Sequence, residues 1–166
     1  GFCLASYLNL PTRFCTYEEI TKAIDEGLKY TNKIALLGAL ITPHPDFEKI
    51  CEHILKRKKE NPDLELSVSS LRADTISPII IKTLVECGQK HSTIAIEAGS
   101  ERLRKVINKN LKEEQILNTV KIAKENGLKG LKLYAMIGHP TETLDDIKEM
   151  VELAKKLKNN FKSFEF

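Results

Sequence analysis

The stretch Ser92–Ala98 reads STIAIEA and runs directly into Gly99, Ser100 and Glu101. A short apolar, β-branched run that stops at small and polar residues predicts a strand feeding a helix. Lys33–Ile41, KIALLGALI, has the same near-continuous apolar character. Strands covered by helices on both faces look like this, so the sheet should be parallel. Working outward, further strand candidates are Leu64–Ser70, Lys129–Ile137 and Phe161–Phe166. The five candidates begin about 30 residues apart, the length of a βα unit.

Helical patterns fill every gap between them. Thr16-Tyr-Glu-Glu19 forms a capping box ahead of the first helix. Phe47, Ile50, Cys51, Ile54 and Leu55 share the next apolar face, and Lys56–Lys59 reads as a solvated helix end. Ser77-Pro78 places an N-cap before proline at the first helical position, and Gly88 closes that helix. Asn110 precedes a helix ended by Gly127, with Ile116, Leu117, Val120 and Ala123 inward. Ile147, Met150, Val151, Ala154 and Leu157 form the last apolar stripe. No proline- or serine-rich linker divides the chain, so residues 1–166 are expected to form one domain. The first helix has no strand candidate before it.

Composition bounds the function classes. Hydrophobic residues make up 42% and charged residues 30%, which is globular. No apolar run reaches the roughly 20 residues of a membrane span, and no secretory leader pattern is present. A cytoplasmic address without a membrane partner is therefore expected. The net charge of +3 is too small to predict a polyanion partner. Aromatic residues are 6% and Trp is absent, so nucleic acid is not indicated. Cys3, Cys15, Cys51 and Cys87 form no CxxC pair and no disulfide framework. Cys51 and Cys87 read as small buried hydrophobes.

Polar residues gather at the predicted C-terminal ends of the strands, where parallel α/β folds bind ligands. The first strand leads to Gly38, Thr42 and His44, and the second to Ser69, Ser70, Arg72 and Asp74. The third ends in Glu97, Gly99 and Ser100, and the fourth carries Tyr134 and leads to Gly138 and His139. Glu97 stands out, because a carboxylate ending an apolar strand must be solvated or paired. Its plainer reading is an ion pair with Arg72 or Arg102. Arg72 suits a carboxylate or phosphate, and a structural salt bridge serves it equally well. Gly99-Ser100 offers backbone N–H groups to a polar ligand. His44 and His139 read as cap and turn residues.

The segments SSLRADTI, TIAIEAGSERLRKVINK and LKLYAMIGHPTET, in this order, resemble the radical S-adenosylmethionine (radical SAM) superfamily. They are most similar to its cobalamin-binding Fe–S oxidoreductase branch. The family signature is CxxxCxxC, and Phe2-Cys3 resembles its tail, with Cys3 as a cluster ligand. The resemblance implies a partial (β/α)6 TIM-like barrel of parallel strands, here lacking the first strand. It implies a [4Fe–4S] cluster and S-adenosylmethionine as cofactors, with cobalamin, where used, in a separate upstream domain. By position, Gly38 and Ala39 resemble the residues that hold the methionine amine, and Leu40 stands where many members have glutamate. Ser69 and Arg72 match positions facing the sulfonium or carboxylate. Glu97 and Ser100 match ribose contacts, and Ile137 and Gly138 match the segment on adenine.

The implied activity is reductive cleavage of S-adenosylmethionine to a 5′-deoxyadenosyl radical, acting on an unknown second substrate. One thiol cannot hold a cubane cluster, so the chain by itself is expected to bind none and to be inactive. The missing strand leaves a sheet edge open to self-association. Three other readings compete. One is a methylthiotransferase acting on tRNA or a ribosomal protein. Another is a metal-free TIM-barrel isomerase or aldolase, although neither Gly130 nor Gly138 resembles a phosphate cup. The last is a non-enzymatic interaction module.

Overall fold

The structure, a computed structural model, describes residues 3–39 and 41–166. Leu40 lies outside the described residues. The strands are β1 (Lys33–Leu36), β2 (Glu65–Val68), β3 (His91–Glu97) and β4 (Gly130–Ala135). The helices are α1 (Ala5–Leu8), α2 (Tyr17–Gly27), α3 (Phe47–Glu60), α4 (Pro78–Glu86), α5 (Glu101–Val106), α6 (Glu113–Glu125) and α7 (Leu144–Asn160). A 3-10 turn, Ala73–Thr75, follows β2.

The pairing is parallel throughout, as expected for an α/β chain. β1 lies beside β2, with Lys33 opposite Glu65 and Leu36 opposite Val68. β3 lies beside β4. The two pairs meet through a single bridge between Leu71 and Ile94, which gives the order β1-β2-β3-β4. The expected fifth strand, Phe161–Phe166, is reduced to one bridge between Glu165 and Gly130. Backbone contact there is close: a Cβ on Gly130 would lie 2.6 Å from Glu165 Cβ. The first strand is shorter than its apolar run, because its partner β2 ends at Val68.

Among the described residues, coverage of both faces is not found. Leu66, Val68, Ile94, Ile96 and Leu131 are buried, while the alternate residues Ser67, Thr93, Ala95, Lys132 and Tyr134 are half-buried or exposed. One face alone is packed. Ile50, Ile54, Ile80, Ile81, Leu84, Ile116 and Val120 from α3, α4 and α6 join those strand residues in one core. Each such side chain contributes about 1.5–3 kcal/mol on burial. Cys51 and Cys87 are buried in this core, as expected, and burial pushes the Cys51 thiol up to about 12.

Local signals placed most helix starts. Thr16 Oγ1 accepts from Glu19 N at 3.2 Å, and Glu19 Oε2 accepts from Thr16 N at 2.7 Å. Thr143 and Asp146 form the same box on α7. Ser77 occupies the N-cap position of α4, but its Oγ is buried without a partner among the described residues. α6 begins later than Asn110 suggests, because Asn110 adopts a left-handed φ of 49° and Gln115 accepts from Lys112 N instead. On α7 the buried residues are Asp146, Leu153 and Leu157, whereas Val151 and Ala154 of the expected stripe are exposed. The buried face keeps Ile147, Met150 and Leu157 of the expected stripe and takes Asp146 and Leu153 in place of Val151 and Ala154. Asp25 clamps α2 to α3, accepting from Arg57 Nη2 at 2.7 Å and lying 2.9 Å from His53 Nε2.

Candidate functional site

A cleft of about 540 Å³ opens between α1, the loop before α2 and the tip of β1. Cys3, Cys15, Gly38, Ala39, His44 and Arg72 are on its walls. A continuation of about 480 Å³ extends across the tips of β2 and β3, where Ser70, Arg72, Glu97 and Lys109 line it together with Cys3. Each volume falls within the range of small-molecule sites. Both lie at the C-terminal ends of the strands.

The loops are tied into place by buried polar contacts. Thr42, 5% exposed, accepts from Arg72 N at 3.2 Å and from Thr75 Oγ1 at 2.7 Å. Thr119 Oγ1 on α6 donates to Ala73 O at 2.6 Å. His44 Nδ1 accepts from Asp46 N at 3.0 Å, so Nε2 carries the proton and donates to Cys15 O at 2.8 Å. His44 thus joins the start of α3 to the Cys15 loop, as a cap rather than a base. Arg72 forms a bidentate pair with Asp74, at 2.9 and 2.6 Å. This pair raises the guanidinium pKa and lowers that of Asp74.

Glu97 ends β3 in a left-handed conformation, φ 68°, where the register with β4 shifts between Ala95 and Glu97. A bulge of this kind re-aims a side chain, and non-glycine residues with positive φ concentrate at functional sites. The Glu97 carboxylate faces Lys109 Nζ at 3.5 Å, with 14% and 21% of the two side chains exposed. Its expected partners are engaged elsewhere, Arg72 with Asp74 and Arg102 with Asp146. Lys109 was missed by the sequence reading. The available signal was Asn108-Lys109-Asn110, whose two asparagines take φ of 61° and 49° and turn the lysine toward Glu97.

The turn after β3 is built from within. Ser100 is buried, accepts from Leu103 N at 3.0 Å and donates to Asp146. Gly99 packs against α7 so closely that a Cβ would sit 2.3 Å from Met150 N. Gly99-Ser100 is therefore a helix contact and a cap rather than an open anion cradle. Arg104 is 1% exposed and donates to the carbonyls of Ala98, Gly99 and Leu111 at 2.9, 2.7 and 2.6 Å. Burial lowers its pKa. Asp146 is held well below the usual carboxylate range, chiefly by Arg102 and then by Ser100.

Of the residues singled out in the sequence, Cys3, Gly38, Ala39, Arg72 and Glu97 come together on the cleft. Ser69, Ser100, Ile137 and Gly138 are not among the residues that line it. Ser69 is exposed beside the lining residue Ser70. Ile137 is 72% exposed, and Gly138, φ 91°, donates its N–H to Glu142.

Residues 1–154 match the family model of the radical SAM superfamily. The chain belongs to the radical SAM superfamily. It is 37% identical to an uncharacterised protein of Methanocaldococcus jannaschii, over 99% of this chain and 36% of that protein. It is 26% identical to the tRNA-2-methylthio-N(6)-dimethylallyladenosine synthase of Clostridium tetani, over 94% of this chain and 36% of the synthase. Its fold is similar to a radical S-adenosylmethionine methyltransferase from Kitasatospora setae whose structure holds cobalamin and a [4Fe-4S] cluster. The TM-score is 0.63 at 17% identity, covering 85% of this chain and 28% of that one. The radical SAM chain thus spans about a third of the length of these curated relatives. Among the described residues, no helix is long and apolar enough to cross a membrane.

Proposed function

We propose that the strand-tip cleft binds S-adenosylmethionine, and that the longer radical SAM protein cleaves it reductively to a 5′-deoxyadenosyl radical. One observation carries this reading. Backbone at Gly38 and Ala39, the Arg72 guanidinium and the Glu97 carboxylate reach one nucleotide-sized cleft from three strand ends, beside the exposed Cys3. The exposed backbone at Gly38–Ala39 is open to the methionine amine. Arg72, with Ser69 close by, offers positive charge and a hydroxyl to the methionine carboxylate. Glu97 accepts two hydroxyl hydrogen bonds from a ribose diol, which an acceptor-only carboxylate suits. Ile137 and Gly138, which the resemblance assigns to adenine, stand outside the lining of this cleft. Ser100 acts by holding the turn that carries Glu97.

In this family an iron–sulfur cluster supplies the electron that breaks the sulfonium C–S bond. Cys3 and Cys15 give this chain two exposed thiols on the cleft walls. Among the described residues, no group of three or more His, Cys, Asp or Glu is placed to hold a metal ion. The residues present therefore do not make up a cluster's donor set, and the proposal concerns the nucleotide side of the site. Similarity to the tRNA methylthiolating synthase favours group transfer as the second reading, using the same cleft. Cobalamin belongs to that reading through the methyltransferase neighbour.

Calorimetric titration of S-adenosylmethionine into the chain and into Glu97→Ala tests the proposal. The wild type should bind saturably, and the substitution should weaken binding about tenfold, the loss of a charge-assisted hydrogen bond. Absent binding, or equal affinity in the two proteins, overturns it.

A further inference from the structure

The two strand pairs are not joined by an ordinary ladder. Leu66 N donates to Cys87 O at 3.0 Å, ahead of β3, and the next backbone bond across the seam is Leu71 N to Thr93 O at 2.9 Å. Between these points a side chain replaces the missing strand contacts. Gln89 Oε1 accepts from Val68 N at 2.9 Å. Gln89 Nε2 donates to Val68 O at 3.2 Å and to His91 O at 3.0 Å. A primary amide has two donor hydrogens and an acceptor oxygen, the groups a peptide unit would bring, and all are used here. The strand tips on the two sides of the seam carry Arg72 and Glu97, which line the same cleft.

We propose that Gln89 is a positioning residue. Its carboxamide locks the β1-β2 pair to the β3-β4 pair and so sets the spacing of the strand tips across the cleft. Besides Gln89, among the described residues the seam is held by the Leu71–Ile94 bridge, the Leu66 N bond, the Thr119 Oγ1 bond to Ala73 O at the cleft end and the packing beneath. A small relative rotation of the pairs at the seam is carried along the strands to the cleft. The role rests on the S-adenosylmethionine reading only where ligand affinity is measured.

Gln89→Glu provides the test. An ionised carboxylate accepts from Val68 N but repels the carbonyls of Val68 and His91. A protonated one donates to one of them and restores part of the lock. The variant therefore acquires an acid-rescued pH dependence that the wild type lacks. The titratable groups facing this position are Lys33 and Glu65, paired at 3.0 Å, the buried Cys87, and His91, paired with Glu165 at 2.7 Å. The wild-type titration accounts for all of them.

Amide chemical shifts followed from about pH 4 to about pH 8 should move in Gln89→Glu, in step with residue 89, at Arg72 and Ala95, which line the cleft on the two sides of the seam, and should not follow that titration in the wild type. Gln89→Leu should hold those cleft amides displaced at every pH. S-adenosylmethionine affinity of Gln89→Glu should fall about tenfold from the acid to the alkaline end, the worth of about one hydrogen bond. Shifts confined to Val68, residue 89 and His91, with the cleft amides unmoved, overturn the positioning role. Failure of the wild type to bind S-adenosylmethionine removes the functional reading and leaves the chemical-shift result to decide on Gln89.

Discussion

Asp146 shows how one buried side chain organises the turn beside the cleft. Its carboxylate takes hydrogen bonds from Ser100 and Arg102 and from the Thr143 hydroxyl and backbone N–H. These donors favour the charged form, which is why its pKa is depressed despite burial. The sign of the pH effect follows. A depressed folded-state pKa adds stability that is complete above the unfolded value near about 3.9 and is lost as pH falls toward the folded one. Urea midpoints of the wild type and Asp146→Asn should therefore differ most near about pH 7 and converge toward about pH 3. A gap of constant size across that range would remove the carboxylate's charge from the explanation. Arg102 remains half-exposed in the variant, so no buried cation is stranded.

Individual elements separate two kinds of N-cap that look alike in sequence. Thr16 and Ser77 both precede helices with favourable first turns. Thr16 makes its hydrogen bond to Glu19 N, whereas Ser77 Oγ is buried without one. Thr16→Ala should cost about 1 kcal/mol in chemical denaturation. Ser77→Ala should cost nothing or stabilise slightly, because it removes a buried hydroxyl that gains no partner. Equal losses in both variants would contradict the observed cap geometry. The same contrast explains which elements could be read in advance. The capping box of α2, the closure of α4 at Gly88 and the parallel sense of the strands depend on neighbours in sequence or on apolar content. Strand ends depend on a partner's length, so Lys33–Ile41 shrank to β1 when β2 stopped at Val68. The stripe on α7 was legible at Ile147, Met150 and Leu157 but not at Val151 and Ala154, because the contacts of the buried Asp146 turn Leu153 inward instead.

At the scale of the whole molecule, the strand tips could be read from their polar residues, while the pairing across the cleft could not. Glu97 was conspicuous as a carboxylate on an apolar strand, yet its partner Lys109 is brought in by two left-handed asparagines. Gln89 gives no sequence signal, since a glutamine after a helix is ordinary until two strands fail to pair beside it. The sheet has a free margin as well. β1 pairs with β2 on one side only, and among the described residues no strand covers its other side. Leu37, just beyond β1, is 82% exposed, and Leu10, which lines the same cleft, is 66% exposed. An apolar margin with unpaired backbone groups is a template for another chain. Sedimentation velocity should therefore show association that grows with concentration. Leu37→Lys should weaken it, because a charge at the margin opposes edge-to-edge pairing. A particle that stays monomeric at every concentration contradicts the prediction, and association unchanged by Leu37→Lys places the contact on another surface.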